Sequence, residues 1–312
     1  MLLPGDQLPQ PHDLPAGGRA PVANAPGKPP IGGLPVRLLA IGNSFSANAL
    51  AFLPAIVEAS TGNQLTLGHI CIGGCPLARH WKNAEAFLKQ SDDPEARAWR
   101  ILTAEPWDYV TLQQYSMHSF EVETYRPYAR SLYDAIAAKA PQAEVLIHET
   151  WAYREDDPLF KSGAFTPQDM YQGLRQAYET IAAELHCRII PSGDAFENAR
   201  RDPRWKGAFP DPRFDYQNAR HPELPDQTHS LHSGFSWNKD KDGAWQLHMD
   251  GHHANRAGEY LGSAVWFELL FRQSVLGNAF VPKDMTAEDV AILQSIAHRT
   301  VSQGMRPALR PS

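Results

Sequence analysis

The segment Val36-Arg37-Leu38-Leu39-Ala40-Ile41-Gly42-Asn43-Ser44-Phe45-Ser46 decides how the rest of the chain is read. A short apolar run halted by glycine reads as a strand buried on both faces. The helical pattern from Ala47 to Thr61 follows it, with Gly62 as the stop and Pro54 as a kink or a late start. Outward from this unit the alternation repeats. Gln64 to Ile72 is a second strand, and Gly73-Gly74-Cys75-Pro76 is the loop after it. Asp93-Pro94 opens a helix to about Leu102, and 108–113 is a third strand. Glu123 to Lys139 is helical, and Glu144 to His148 is a fourth strand. Thr166-Pro167-Gln168-Asp169 caps a helix running to His186, and Arg188 to Pro191 is a fifth strand. Strand alternating with helix predicts an α/β, three-layer α/β/α domain around a central, mainly parallel five-stranded sheet.

Beyond this repeat the pattern changes. Residues 201–249 are polar, rich in Pro, Asp, Trp and His, and show no period, so they read as a long insertion. Ala254 to Gln273 and Thr286 to Arg299 are helices. Residues 1–35 contain nine of the 26 prolines and six of the 22 glycines, and are expected to form an arm without regular structure. The domain is thus expected over 36–305, with 306–312 as a tail.

Composition removes several classes of function. The 312 residues carry 29 basic and 35 acidic side chains, a net charge of −6, and the basic ones are scattered. A nucleic-acid partner would need a cationic stripe, so none is expected. No apolar stretch approaches the length of a membrane span. Met1-Leu2-Leu3 runs into Pro4 without the layout of a signal peptide. Cys71, Cys75 and Cys187 are too few and too irregular for a disulfide framework or a zinc site, and read as packed side chains.

Ligands of parallel sheets bind beyond the C-terminal strand ends. Gly42–Ser46, Gln113–Ser119 and His148–Tyr153 should therefore border one crevice. Ser44 at a strand-to-helix turn presents a hydroxyl above the sheet, beside backbone N–H groups able to hold an oxyanion, although Gly-Asn-Ser is also ordinary turn chemistry. Asp250-Gly251-His252-His253 precedes the helix at Ala254. An Asp three residues ahead of a His, across a helix start, can bring its carboxylate to Nδ1 and leave Nε2 to take a proton from a serine. Equally, Asp250 can be a helix-start carboxylate and His253 a packed side chain.

Four blocks in this order resemble the SGNH (GDSL-like) hydrolase superfamily over roughly residues 36–273. They are Gly42-Asn43-Ser44-Phe45-Ser46, Ile72-Gly73-Gly74-Cys75-Pro76-Leu77 with His80-Trp81, Trp107 to Gln114, and Asp250-Gly251-His252-His253 with Gly258-Glu259-Tyr260-Leu261. The resemblance implies a flavodoxin-like sheet and a serine esterase without cofactor or metal. It aligns Ser44 with the nucleophile, His253 with the base and Asp250 with its orienting acid. The Ser44 N–H and Gly74 fall on two oxyanion donors. The usual Asp before the nucleophile is Asn43 here, and the usual third donor, an Asn, is absent. Gln114 is nominated in its place, with Gln113 close behind, either of which can instead brace the loop.

Trp151, Tyr153, Trp237 and Trp245 are expected on loops near the crevice, where flat rings can stack on a sugar or simply pack. Substrate contacts are assigned to Asn43, Gln113, Trp151 and Tyr153. The histidines at 229, 232, 248 and 252 lie in segments that read as loop and not on the helix of a zinc hydrolase. Asn238 to Gly243 resembles the start of a calcium loop but has Met249 where a bidentate Glu is required. The expected activity is hydrolysis of small acyl esters, most of all O-acetyl groups on carbohydrates. The rivals are a catalytically silent glycan-binding module on the same scaffold and a lipase- or thioesterase-like hydrolase. The resemblance also implies export.

Overall fold

A computed structural model describes residues 35–304 of the chain. The expected arm over 1–35, Pro35 apart, and the tail over 306–312 lie outside the described residues. Five parallel strands form the main sheet in the order β2-β1-β3-β4-β5, a flavodoxin-like order. They are β1 (Pro35–Gly42), β2 (Gln64–Cys71), β3 (Tyr109–Leu112), β4 (Glu144–His148) and β5 (Arg188–Ile190). Leu38, Leu39, Ala40 and Ile41 of β1 are completely buried, so successive side chains on both faces are covered, as the continuous apolar run requires.

Two sets of helices provide that cover. One set is α3 (Leu77–Leu88), α4 (Pro94–Ala98), α5 (Tyr128–Lys139) and α6 (Pro167–Leu185). The other is α1 (Ser44–Leu50), α2 (Leu53–Glu58), α7 (Ser192–Arg200), α8 (Arg256–Phe271) and α9 (Ala287–Gly304), grouped around α8. The fold is a three-layer α/β/α domain with a parallel five-stranded sheet.

The start of α6 follows its sequence signal. Thr166 and Asp169 form a reciprocal capping box with Pro167 just inside. Other elements depart from the pattern. The helix expected over 47–61 begins at Ser44, where the Asn43 side chain caps it, and breaks at Ala51-Phe52. Pro54 lies in the first turn of α2, where its missing N–H costs nothing. Helices α3 and α7 were not expected.

The region read as a long loop over 201–249 contains most of an antiparallel pair, β6 (His232–Lys239) and β7 (Trp245–Ala254). Its Asp240 carboxylate accepts from the Asp242 and Ala244 N–H groups, so the segment resembling a calcium loop is a hairpin turn. Asp250 and His253 therefore stand near the end of a strand. They do not straddle a helix start, because α8 begins only after the Asn255 cap.

Helix α8 is the buried axis that brings the two ends of the domain together. Gly262 faces Ala49 of α1 so closely that a Cβ there would lie 3.1 Å from the Ala49 Cα. Ser263 Oγ donates to the Ala49 carbonyl (2.8 Å) and accepts from the Phe52 N–H (3.0 Å). Asn48 adds two links, donating to Glu259 Oε1 (3.1 Å) and accepting from the Ala254 N–H (3.3 Å). Helix α1 begins at Ser44 and α8 follows His253, so these bonds set the separation of those two side chains.

Candidate active site

Ser44 and His253 meet at the rim of the sheet. The Ser44 Oγ is 2.9 Å from His253 Nε2, and His253 Nδ1 is 2.9 Å from Asp250 Oδ2. Asp250 Oδ1 accepts from the backbone N–H groups of His252 (3.2 Å) and His253 (3.0 Å). Burial raises the Asp250 pKa, but the hydrogen bonds from His253 and the nearby imidazoles outweigh it. The carboxyl is held below the usual carboxylate range and stays ionised, an acceptor for the Nδ1–H hydrogen bond.

The turn carrying Ser44 is tied on several sides. The Gly42 carbonyl accepts from the Ile72 N–H (3.1 Å) and from His80 Nε2 (2.9 Å). Asn43 Oδ1 accepts from the Phe45 N–H (3.1 Å), and its Nδ2 donates to the Cys75 carbonyl (3.3 Å). Asn43 therefore organises the turn while also lining the crevice.

Gln113 and Gln114 stand differently from the sequence expectation. Both are buried outside the crevice lining. Gln113 Oε1 accepts from the Asn43 N–H and from Ser46 Oγ, each at 3.0 Å. Gln114 Oε1 accepts from the N–H groups of Leu77 and Tyr115 (both 2.9 Å), while its Nε2 donates to the Thr124 carbonyl (2.9 Å). Buried loop N–H groups must find acceptors, and these two side chains supply them. Neither amide is a third oxyanion donor.

Two backbone donors remain. Ser44 N–H stands at the first position of α1, where no intrahelical acceptor exists, and Gly74 has left-handed backbone with φ +61°. Among the described residues neither N–H has an acceptor, and both residues line the crevice.

That crevice has a volume of about 290 Å³. Its other walls include Tyr115, Ser116 and Met117 after β3, Tyr153 after β4, and Asp157 and His252. The Tyr153 hydroxyl pairs with Ser116 Oγ at 2.7 Å, and burial pushes its pKa up to about 12. The segment after β3 was expected at the crevice; Asp157 carried no sequence signal at all.

Three tryptophans are not where sequence placed them. Trp151 is completely buried, stacked between Phe45 (4.6 Å) and Phe196 (4.3 Å), and donates to the His252 carbonyl. It supports the wall from behind and is no sugar platform. Trp237 and Trp245 stand on the hairpin away from the crevice, with Trp245 stacked on His221 at 3.9 Å. His148 and Glu149, expected at the crevice with the rest of 148–153, are buried: Ser46 Oγ contacts His148 Nδ1 (3.2 Å), and Glu149 accepts from the Asp194 N–H (2.9 Å).

Among the described residues, Asp250, His252 and His253 form the set whose metal-ligating atoms lie within 4.8 Å of one another. Both His253 nitrogens are already engaged, by Asp250 and Ser44. No helix among the described residues is long and apolar enough to cross a membrane.

A family model described as "Domain of unknown function (DUF4886)" matches residues 37–204. A solved DUF4886 family protein from Bacteroides uniformis is similar at 24% identity and a TM-score of 0.65, covering 86% of this chain and 95% of that one. It shares the fold. A protein from Slackia heliotrinireducens, proposed to be an SGNH hydrolase, overlaps with a TM-score of 0.45 at 22% identity, covering 75% of this chain and 98% of its own. A member of the lipolytic G-D-S-L family from Veillonella parvula gives 0.45 at 14% identity, with 76% and 100% covered. No curated protein matches the sequence significantly.

Proposed function

The chain belongs to the DUF4886 family, and we propose that it is a serine esterase that hydrolyses small acyl esters, with O-acetyl groups on carbohydrates as the foremost substrates. The observation that carries this is the continuous line Ser44 Oγ, His253 Nε2, His253 Nδ1, Asp250 Oδ2, with a separation of 2.9 Å at each end. Nothing but proton transfer and acyl transfer is needed to use it.

Asp250 accepts a hydrogen bond from Nδ1–H and keeps the proton on that nitrogen, so Nε2 is a bare acceptor facing the serine. As Ser44 Oγ attacks the ester carbonyl, its proton moves to Nε2 and the imidazolium is stabilised by Asp250. The carbonyl electrons move to oxygen, where the N–H groups of Ser44 and Gly74 meet the charge. Collapse breaks the bond to the alcohol, which leaves with the proton from Nε2. Water then repeats the sequence on the acyl-Ser44 and releases the acid.

The limited crevice, about 290 Å³, suits a short acyl group better than a lipid chain. A silent glycan-binding module is favoured by one observation, that Gln114 is committed to Leu77, Tyr115 and Thr124 and leaves two oxyanion donors.

Fluorophosphonate labelling separates these readings. The esterase labels at Ser44, loses the label in Ser44→Ala and turns over p-nitrophenyl acetate. Wild-type protein that neither labels nor turns over that ester is a binding module.

A further inference from the structure

The crevice holds a negative charge that the proposed triad does not use. Asp157 lines it while only 8% exposed. Its Oδ1 accepts from the Leu159 N–H (2.9 Å) and caps the short 3-10 turn Pro158–Phe160. Among the described residues, Oδ2 has neither a hydrogen-bond donor nor a cation. The cation nearest in sequence, Arg154, is committed to Asp156, with Nε on Oδ1 (2.6 Å) and a terminal nitrogen on Oδ2 (2.9 Å).

The carboxylate is also built against the strand bearing the triad. A Cβ at Gly251 would lie 2.5 Å from Asp157 Oδ2, so β7 approaches this closely only because residue 251 has no side chain. The Gly251 carbonyl accepts from the Arg154 N–H at 2.8 Å and fixes the two segments together. No Lys or Arg lines the crevice. Besides Ser44 and His253, the polar groups there include the Tyr115, Tyr153 and Ser116 hydroxyls, Asn43 and His252, whose Nδ1 is 3.1 Å from Asp250.

A free carboxylate oxygen beside hydroxyls, without a compensating cation, accepts hydrogen bonds and repels anions. We infer that Asp157 is a specificity-determining residue. Its Oδ2 accepts a hydrogen bond from a hydroxyl next to the scissile ester. The substrate is then the ester of a neutral polyol or sugar, and esters bearing a carboxylate or phosphate close to the carbonyl are excluded. This inference rests on the esterase reading of Ser44.

The test compares an O-acetylated neutral methyl hexoside with its uronate counterpart. Wild-type enzyme is expected to prefer the neutral ester by about tenfold or more in kcat/KM, the scale of a modest charge repulsion. Asp157→Asn keeps the turn cap, since Asn caps as well as Asp. It should raise kcat/KM on the uronate and lower it on the neutral sugar, shrinking the ratio about tenfold. Asp157→Ala should raise KM for the neutral sugar. A purely structural role would depress both substrates in parallel. That parallel fall, or equal use of both esters by wild type, overturns the inference alone. Absence of both fluorophosphonate labelling and turnover in wild type overturns the esterase reading beneath it.

Discussion

Gln113 holds Asn43 in place: its buried Oε1 accepts the Asn43 N–H at 3.0 Å and takes the Ser46 hydroxyl from the same turn. The first residue after β3 thus grips the turn after β1, on either side of Ser44. The grip is tight, since a Cβ on Gly42 would stand 2.6 Å from that oxygen.

Gln113→Ala leaves the buried Asn43 N–H without an acceptor, at about 1–3 kcal/mol, and leaves the Ser46 hydroxyl only its contact with His148 Nδ1. Loss of stability in urea and a fall in kcat are expected together, because the turn presenting Ser44 loosens. Gln114→Ala should differ. It releases the loop N–H groups of Leu77 and Tyr115 but removes no oxyanion donor. Its turnover should fall by far less than the roughly 100- to 1000-fold typical of losing such a donor. A loss in that range would restore Gln114 to the oxyanion hole.

Gly74→Ala tests the second donor. Residue 74 has φ +61°, which costs an alanine about 1–2 kcal/mol, although the nearest atom to a Cβ is 3.9 Å away. Local relaxation moves the N–H. The expected signature is a drop in kcat on p-nitrophenyl acetate with little change in KM. Unaltered kcat would remove Gly74 from the mechanism.

Gly262→Val forces α8 away from α1, where even a Cβ would lie 3.1 Å from Ala49. Overpacking of this kind costs about 1–3 kcal/mol. Activity should fall further than the melting temperature suggests, since α1 begins at Ser44 and α8 follows His253. Proportionate losses would mean that the helix contact does not set the site.

Acid should unfold the protein through its buried histidines. Burial pushes His80 down to about 4 and His148 down to about 3, and holds His232 well below the ordinary imidazole value. Above about pH 6.5 these imidazoles are neutral in both the folded and unfolded chain. As pH falls below that value, the unfolded chain takes up protons that the folded one refuses. Each group then removes stability at about 1.4 kcal/mol per pH unit until its folded value is reached. Urea melts between pH 7 and 4 should show this slope, reduced in His148→Asn. An unchanged slope in that variant would contradict the assignment.

The three thiols should be sluggish. Burial pushes Cys71 and Cys75 up to about 11 and Cys187 up to about 12. At pH 8 native protein should react with a thiol reagent far more slowly than urea-unfolded protein.

The sequence by itself determined the sheet. Short apolar runs alternating with helical patterns located five strands, and the Thr166 to Asp169 cap located the start of α6, because these signals are local and follow from backbone sterics and burial. It also singled out Ser44, Asp250 and His253, whose chemical types suit proton transfer. Only the tertiary structure decided which polar side chains face the crevice. Gln113 and Gln114 look by position like a substrate ligand and an oxyanion donor, yet neighbouring loops supply buried donors and acceptors that claim them. Trp151 was read as a platform and is a packed ring for the same reason, that its neighbours come from distant segments. Asp157 enters the site only because Gly251 clears a path for it. Hydrogen-bond satisfaction and close packing are settled between residues far apart in the chain, so no local pattern announces them.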